Sequence, residues 1–545
     1  MEAVTQQHQT SGDSPRTIVQ SAIKFASGTF LSRIGGLVRD MSMAFCFGTD
    51  PAIAAFLVAF RLANLLRRLF GEGALLNSFI PHFESYRKTN PKHAAQFFRD
   101  TFFSLLLLLV LIIGFIELAL FLVVTFGSLS TSNQDIVSLT MIMLPGLLFI
   151  CLFSICSGLL QCEKNFFLTG AAPLIFNAIW IGSIWAFRND PHQTSVTYLS
   201  IAVAVAFLFQ WLITFPKTLI FLRRYLSWKE LFRGSFFSNE IRCMLSSMSM
   251  VVIGVGTAQI NSAIDAIFAR HASLEGPAYL NFAIHLQQLP LALIGIGIST
   301  ALLPSLSRTL QDFSRYRDLL HSGLSNALFF LIPCCSAILV LGCSGINLIY
   351  GRGDFNHESV RQTTLCLWGY GLGLIPMGMN LLIAPAFYAK KDYRTPTIAA
   401  FIALFVNLIL NFLLVFVFQY GAVSLALSTS LAACFNTGFL FRRLSKEMGM
   451  NLVSPIVSSS FKIVMISIIS VLFTLFVEYM MFNEPSFLIV FGETNMQFPR
   501  SFVEQATIFL TLSGAFLASF VSLACLFNST LSVFWTNLRS NCSYS

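Results

Sequence analysis

The chain has 545 residues, 55% of them hydrophobic and 11% charged, with 57 Phe and a formal net charge of +9; its mean hydropathy is +0.73. Soluble globular domains carry about 25% charged residues, so the composition excludes a soluble enzyme or binding domain and indicates a polytopic membrane protein. The positive balance does not point to nucleic acid, because Lys and Arg fall in short clusters between apolar runs, the arrangement of topology signals.

Residues 1–19 form a polar tail with no apolar core followed by a small-residue cleavage site, so no cleaved signal peptide is expected. After it, fourteen stretches are long enough to cross roughly 30 Å of hydrocarbon as helices. These are spans 1 to 14: 20–47, 52–86, 97–127, 134–161, 166–187, 195–222, 240–270, 276–305, 319–350, 358–389, 395–418, 421–444, 457–482 and 502–534. The expected fold class is all-α and polytopic. Residues 535–545 close the chain as a second tail. Most of the 12 Cys, including Cys151, Cys156, Cys334, Cys335, Cys366 and Cys434, sit inside apolar runs without CxxC spacing and read as buried thiols.

Orientation follows from the basic residues. With both termini in the cytoplasm, inner loops and tails hold 22 of the 34 Lys and Arg, and outer loops hold five: Arg188, Arg270, Arg352, Arg361 and Arg500. Arg242 and Lys462 lie near helix ends, where they can snorkel. The other five, Arg33, Arg39, Arg61, Arg67 and Arg68, fall inside spans 1 and 2.

A weak repeat with a period near 225 residues relates span 5 to span 11 and span 2, "FRLANLLRRLFGEGALLNSFIP", to span 8, "IHLQQLPLALIGIGISTALLP". Six spans per repeat preserve sidedness, which predicts two parallel lobes, 20–225 and 226–446, with a binding site between them. Spans 13 and 14, within residues 447–534, stand outside the repeat.

An Arg at mid-bilayer costs roughly 2.5–3.5 kcal/mol, so five facing lipid would cost on the order of 12–18 kcal/mol. That exceeds typical fold stability, so these side chains are expected to face protein or a wet cavity. At about 100° per residue, Arg61, Arg68 and Glu72 fall within about 20° of one line on span 2, and Arg33 and Asp40 share a line on span 1. Asp40 and Glu72 can neutralise only two of the five arginines. The surplus suits an anionic ligand, and guanidinium forks match phosphate bidentately. Span 8 has no Arg and offers His285, Gln287 and Gln288, with His285 aligned to Arg61 within one residue.

Among the other intramembrane polar groups, Asp265, with Gln259 and Asn261 nearby, is a candidate to join Asn407 and Asn411 in an all-oxygen cation site; pairing with Arg270 is the rival reading. Glu117 and Glu478 lie towards outer helix ends and are expected to be solvated. The run "GYGLGLIPMG" lacks a phosphate-loop Lys and reads as helix packing.

The runs "FLSRIGGLVRDMSMAFCFG", "AFLVAFRLANLLRRLFGEGALLNSFIPHFESY", "ALLPSLSR" and "APAFYAKKDYRTP" resemble the MurJ (MviN) family of bacterial lipid II flippases, in the multidrug/oligosaccharidyl-lipid/polysaccharide exporter superfamily. The resemblance implies two six-helix lobes around a cationic cavity, with spans 13 and 14 forming a groove for the polyprenyl tail. It carries the essential cavity arginines onto Arg33, Arg39 and Arg67, the span 2 basic residue onto Arg61, and the portal acid onto Glu72. A sodium site in some members maps onto Asp265, Asn407 and Asn411. Three departures stand out: Ala54 where the family often has an acid, His285 where it has an Arg, and Asn411 where it has an acid.

The expected activity is therefore translocation of lipid II across the bacterial cytoplasmic membrane by alternating access. Expected partners are lipid II, membrane lipids and the cell-wall synthesis machinery, with no nucleic acid. No cofactor is expected beyond a coupling monovalent cation, sodium or proton. Another transporter of the superfamily is the runner-up, although a drug antiporter favours acidic cavities. An enzyme acting on polyprenyl diphosphates would need clustered carboxylates for Mg²⁺, and no span has them.

Overall fold

The computed structural model describes residues 15–65, 67, 74–128, 130–236, 238–309, 312–390, 392–448, 453–482, 490–491 and 498–526, and among these no strand occurs. The chain divides into two compact units. Unit 1 comprises Met1–Met43 and Val58–Gln259, and unit 2 comprises Ala44–Leu57 and Ile260–Ser545.

In chain order the helices are α1 (Pro15–Phe47), α2 (Pro51–Ala63), α3 (Ala74–Thr89), α4 (Pro91–Phe126), α5 (Thr131–Met143), α6 (Gly146–Cys162), α7 (Phe166–Ala171), α8 (Pro173–Phe187), α9 (His192–Tyr225), α10 (Trp228–Phe232) and α11 (Asn239–Ala272). They continue as α12 (Gly276–Pro290), a π-helical turn Leu291–Ile296, α13 (Gly297–Arg308), α14 (Phe313–Tyr350), α15 (His357–Leu372), α16 (Leu374–Ala389), α17 (Arg394–Phe412), a second π-helical turn Leu413–Val417, α18 (Val423–Met448), α19 (Val453–Phe482) and α20 (Phe502–Leu526).

The chain is an all-α polytopic membrane protein. Among the described residues nine helices are long and apolar enough to cross a bilayer, and the pair α5 and α6, bent by 41° at Leu144 and Pro145, makes a tenth. The four expected spans that do not meet that test are 1, 2, 7 and 8; the five arginines and Asp265 fall in spans 1, 2 and 7, whereas Asn177 lies in span 5 and Asn407 and Asn411 in span 11. Spans 2 and 8 are each divided into helices of fewer than 18 residues. Span 2, expected as one helix over 52–86, falls into α2 and α3; Arg68 and Glu72, between them, lie outside the described residues.

Lipid tails are as apolar as Leu, so helices in a membrane associate through close packing more than through hydrophobic burial. In unit 1 a Cβ on Gly158 of α6 would meet Leu76 and Phe79 of α3, and one on Gly146 would meet Phe207 and Ala204 of α9. In unit 2 Leu302, Leu306, Leu320, Leu324, Leu331, Leu382, Ile383 and Phe387 form the centre of a core built by α13, α14 and α16. The glycine-rich run joins α15 to α16, and its Gly369 and Gly378 abut Ala426 and Leu331, so it serves helix packing.

The turns are fixed by caps. Asn90 accepts from the backbone N–H of Lys92 and His93 to start α4, with Pro91 at its first position. Ser227 and Glu230 form a reciprocal capping box on α10. Gly48 and Gly353 both have positive φ, at 55° and 61°. Each sits against the other's turn, where Asp354 N donates to Phe45 O at 3.0 Å. A side chain at either would be strained and would collide with backbone.

Two expectations change. Glu478 is buried rather than solvated, at 2% exposure, because α19 packs against α14 at that point. Cys434 is exposed on α18, whereas Cys151, Cys156, Cys335 and Cys366 are buried.

Candidate substrate and ion sites

In unit 1 the polar node is built on α1 and α8. Arg39 donates through Nε and Nη2 to Asp40 Oδ1 at 3.0 and 2.8 Å, and through Nη1 to Asn177 Oδ1 at 3.3 Å. Its guanidinium lies 4.5 Å from the centre of the Trp180 ring. Asn177 Nδ2 donates in turn to Ser32 O at 3.1 Å, tying α8 to α1. Trp180 is fully buried and meets Phe60 edge-on at 4.9 Å. Asn177 and Trp180 are three residues apart, so one face of α8 supplies both the amide and the ring. The node neutralises Asp40 and fixes one guanidinium by hydrogen bonds and a cation–π contact together.

The other arginines are arranged differently. Arg33 is exposed on α1, and Arg61 is half-buried in the last turn of α2. Among the described residues neither makes a side-chain hydrogen bond or ion pair. Arg67 is half-buried, and its backbone N donates to Asn64 O at 3.1 Å. Asp40 thus pairs with Arg39 beside it, although it shares a line on the helix with Arg33.

In unit 2 the node is built on α11, α17 and α18. Asp265 Oδ1 accepts from Asn407 Nδ2 at 2.9 Å and Asn411 Nδ2 at 2.7 Å. Its Oδ2 accepts from Asn261 Nδ2 at 3.2 Å and from Thr429 Oγ1 at 3.4 Å. Asn407 Nδ2 also donates to Asn261 Oδ1 at 2.8 Å. Asp265, Asn407 and Asn411 are all buried. The Oδ1 atoms of Asn407 and Asn411 are buried with no hydrogen-bond partner among the described residues. The amide nitrogens and the Thr429 hydroxyl face the carboxylate here; carboxylate, amide and hydroxyl oxygens are the ligand types a hard cation takes. Arg270 Nη1 donates to the carbonyl oxygens of Pro51, at 2.8 Å, and Leu274.

His285 is half-buried on α12, while neighbouring Gln287 is buried with its Nε2 3.2 Å from Met377 Sδ. Sequence reasoning brought Asp265, Asn407 and Asn411 together correctly and left out Thr429, Asn177 and Trp180. The available signal was a lone amide in the otherwise apolar "LIFNAIW" and three consecutive hydroxyls in "LSTS", each too common in membrane helices to single out.

The fold and these nodes define a multi-pass α-helical membrane protein that keeps charged and amide side chains between its spans. The same fold is found in a solved lipid II flippase MurJ in an inward closed conformation, with a TM-score of 0.72 and 23% identity, covering 93% of this chain and 98% of that one. The family described as lipid II flippase MurJ matches residues 43–493. A protein of Chlamydia trachomatis serovar D named "Probable lipid II flippase MurJ" is 32% identical over 524 residues, 94% of this chain and 95% of that protein. A protein of Chlamydia muridarum with the same name is 34% identical over 426 residues, 78% of each. The chain belongs to the MurJ family of lipid II flippases.

Proposed function

We propose that the chain is a lipid II flippase of the bacterial cytoplasmic membrane, with both termini cytoplasmic, working by alternating access. The observation that carries this reading is a cationic surplus inside the membrane of a MurJ-family chain. Arg39 is fixed by Asp40, Asn177 and Trp180, while Arg33 and Arg61 keep their charge without an acidic partner among the described residues. Such guanidinium groups match a diphosphate, which offers two anionic centres to bidentate donors.

On this reading the diphosphate and sugars enter a cationic cavity and meet Arg33, Arg39, Arg61 and Arg67. On sequence grounds His285, Arg68 and Glu72 join them. The polyprenyl tail stays in lipid along spans 13 and 14, here α19 and α20. No bond is made or broken, so the role of the arginines is to compensate the headgroup's lost hydration. Asp265, Asn407, Asn411, Asn261 and Thr429 form a sodium site, and ion return down its gradient resets the carrier. Moving one unit charge through 100 mV is worth about 2.3 kcal/mol.

The test is ligand retention. Protein purified from membranes containing several polyprenyl-linked sugars is expected to carry lipid II preferentially in mass spectra. Equal retention of a polyprenyl phosphate lacking the second phosphate would remove the diphosphate clamp.

A further inference from the structure

Residues 498–501 lead into α20, and two sets of contacts fasten them to the turn between α14 and α15. In the first, the Phe498 backbone N–H donates to Nδ1 of His357, the first residue of α15, at 3.1 Å. Arg500 adds bonds to the same turn: its Nη1 donates to the carbonyl oxygens of Phe355 at 2.6 Å and Gly351 at 3.4 Å, and its Nη2 to that of Gly353 at 3.2 Å. In the second, Gln505 Nε2 donates to the oxygens of Pro499, Gly351 and Asn347 at 2.9, 3.0 and 3.3 Å. Asn347 Nδ2 donates in turn to Pro499 O at 3.0 Å, and both amides are buried. All these groups belong to unit 2, and none takes part in the Asp265 node.

The two sets differ in one chemical respect. The amide contacts of Gln505 and Asn347 do not titrate. The His357 bond does, because a backbone N–H can only donate and Nδ1 accepts only while it carries no proton. A charged imidazole would set its own N–H against that of Phe498, beside a guanidinium that three carbonyls hold in place. Arg500 is the charge that bears on the ring. The other charged groups around it are engaged elsewhere or exposed. Glu358 is held by Arg361 on α15, Arg352 lies 5.0 Å from the centre of the Phe502 ring, and Asp50 accepts from the Ala52 N–H. Asp354 and Glu504 are exposed, and Tyr279 of α12 is buried.

We propose that His357 is a pH-sensitive catch: neutral, it holds residues 498–500 on the α14–α15 turn, and protonated, it releases them while Gln505 and Asn347 keep the start of α20 docked. Closing requires the neutral ring, so the catch is shut above the ordinary histidine value of about 6.5, and each pH unit below it loosens the catch by up to about tenfold. In the orientation proposed above this face is the outer one, so the outer pH sets the catch, and the released stretch borders α20, one wall of the proposed tail groove. Sidedness and groove rest on that reading; the catch itself does not.

The full-length protein in detergent is followed by hydrogen exchange at the Phe498 amide, with each rate divided by the intrinsic chemical rate at the same pH so that only opening remains. Protection is expected to fall roughly tenfold or more from pH 7.5 to pH 5.0. That of the Gln505 amide, which donates to Ser501 O, is expected to change less than about twofold over the same range. His357→Gln, whose amide oxygen accepts the same N–H without titrating, is expected to keep the protection and lose its pH dependence. His357→Lys, charged throughout, is expected to leave Phe498 unprotected at both pH values with Gln505 still protected. A smaller fall in the native chain, a pH response kept in His357→Gln, protection of Phe498 kept in His357→Lys, or an equal fall at Gln505 would each overturn the proposal. None of these readouts depends on lipid II, so a failed transport assay leaves the catch standing and a failed catch leaves transport untouched.

Discussion

Asp40 and Asp265 stand 225 residues apart, at the period of the internal repeat, and each bonds to a node that includes an Asn of a later span, Asn177 in one unit and Asn407 in the other. The two acids are treated in opposite ways. Arg39 precedes Asp40 and supplies a tethered guanidinium, held by Asn177 and Trp180. Ile264 precedes Asp265, and amides and a hydroxyl surround the carboxylate. A shared scaffold position thus carries a tethered guanidinium in unit 1 and a ring of amide and hydroxyl donors in unit 2. The repeat keeps its acid and differs in what neutralises it: a neighbouring guanidinium in unit 1, amides and a hydroxyl in unit 2.

The largest effect is expected from Arg39→Ala, which leaves Asp40 buried without its counter-charge at a cost of about 3–5 kcal/mol. Thermal unfolding in detergent should show the loss, and Arg39→Ala with Asp40→Ala should recover most of the stability without recovering lipid II transport. Recovery of transport by the double variant would reduce Arg39 to a counter-ion. Next in size, sodium in place of choline should stabilise the protein against heat by up to about 2.7 kcal/mol at a hundredfold excess over the dissociation constant. In Asp265→Asn that response should vanish, and a retained response would move the ion elsewhere. Trp180→Leu should cost about 0.5–2 kcal/mol through the cation–π contact and leave the sodium response intact.

The smallest effect belongs outside the membrane, at Glu230. A hydrogen bond from Lys92, with those from the Ser227 backbone and hydroxyl, holds its carboxyl at about 2. The folded value lies below the ordinary one, so the capping contribution is complete above about pH 4.5 and is lost as pH falls towards 2. Hydrogen exchange across α10 should accelerate on acidification through that window, and less so in Lys92→Ala.

How far the sequence spoke depended on the kind of signal. Long apolar runs such as "FFSLLLLLVLIIGF" announce α4 because no other environment tolerates them. Spans 1, 2, 7 and 8 were legible as long stretches like the others, but the division of span 2 into α2 and α3 and the π-helical turn within span 8 were not, because such breaks leave no mark on span length. Asp265, Asn407 and Asn411 could be grouped because a carboxylate within a membrane helix demands partners. Asn177, Trp180 and Thr429 could not, because amides, rings and hydroxyls pack in membrane helices for many reasons. The burial of Glu478 escaped for a related cause: position near a helix end suggests water, and only the packing of α19 on α14 removes it.

The central claim is tested most directly by lipid II translocation in proteoliposomes, read by a membrane-impermeant reagent that modifies only the outer leaflet. The account predicts translocation well above empty liposomes by the native chain, and a loss of roughly tenfold or more in Arg33→Gln with Arg61→Gln, as expected when charge-assisted bonds to a phosphate are removed. Translocation indistinguishable from empty liposomes, or an undiminished rate in that double variant, would contradict it.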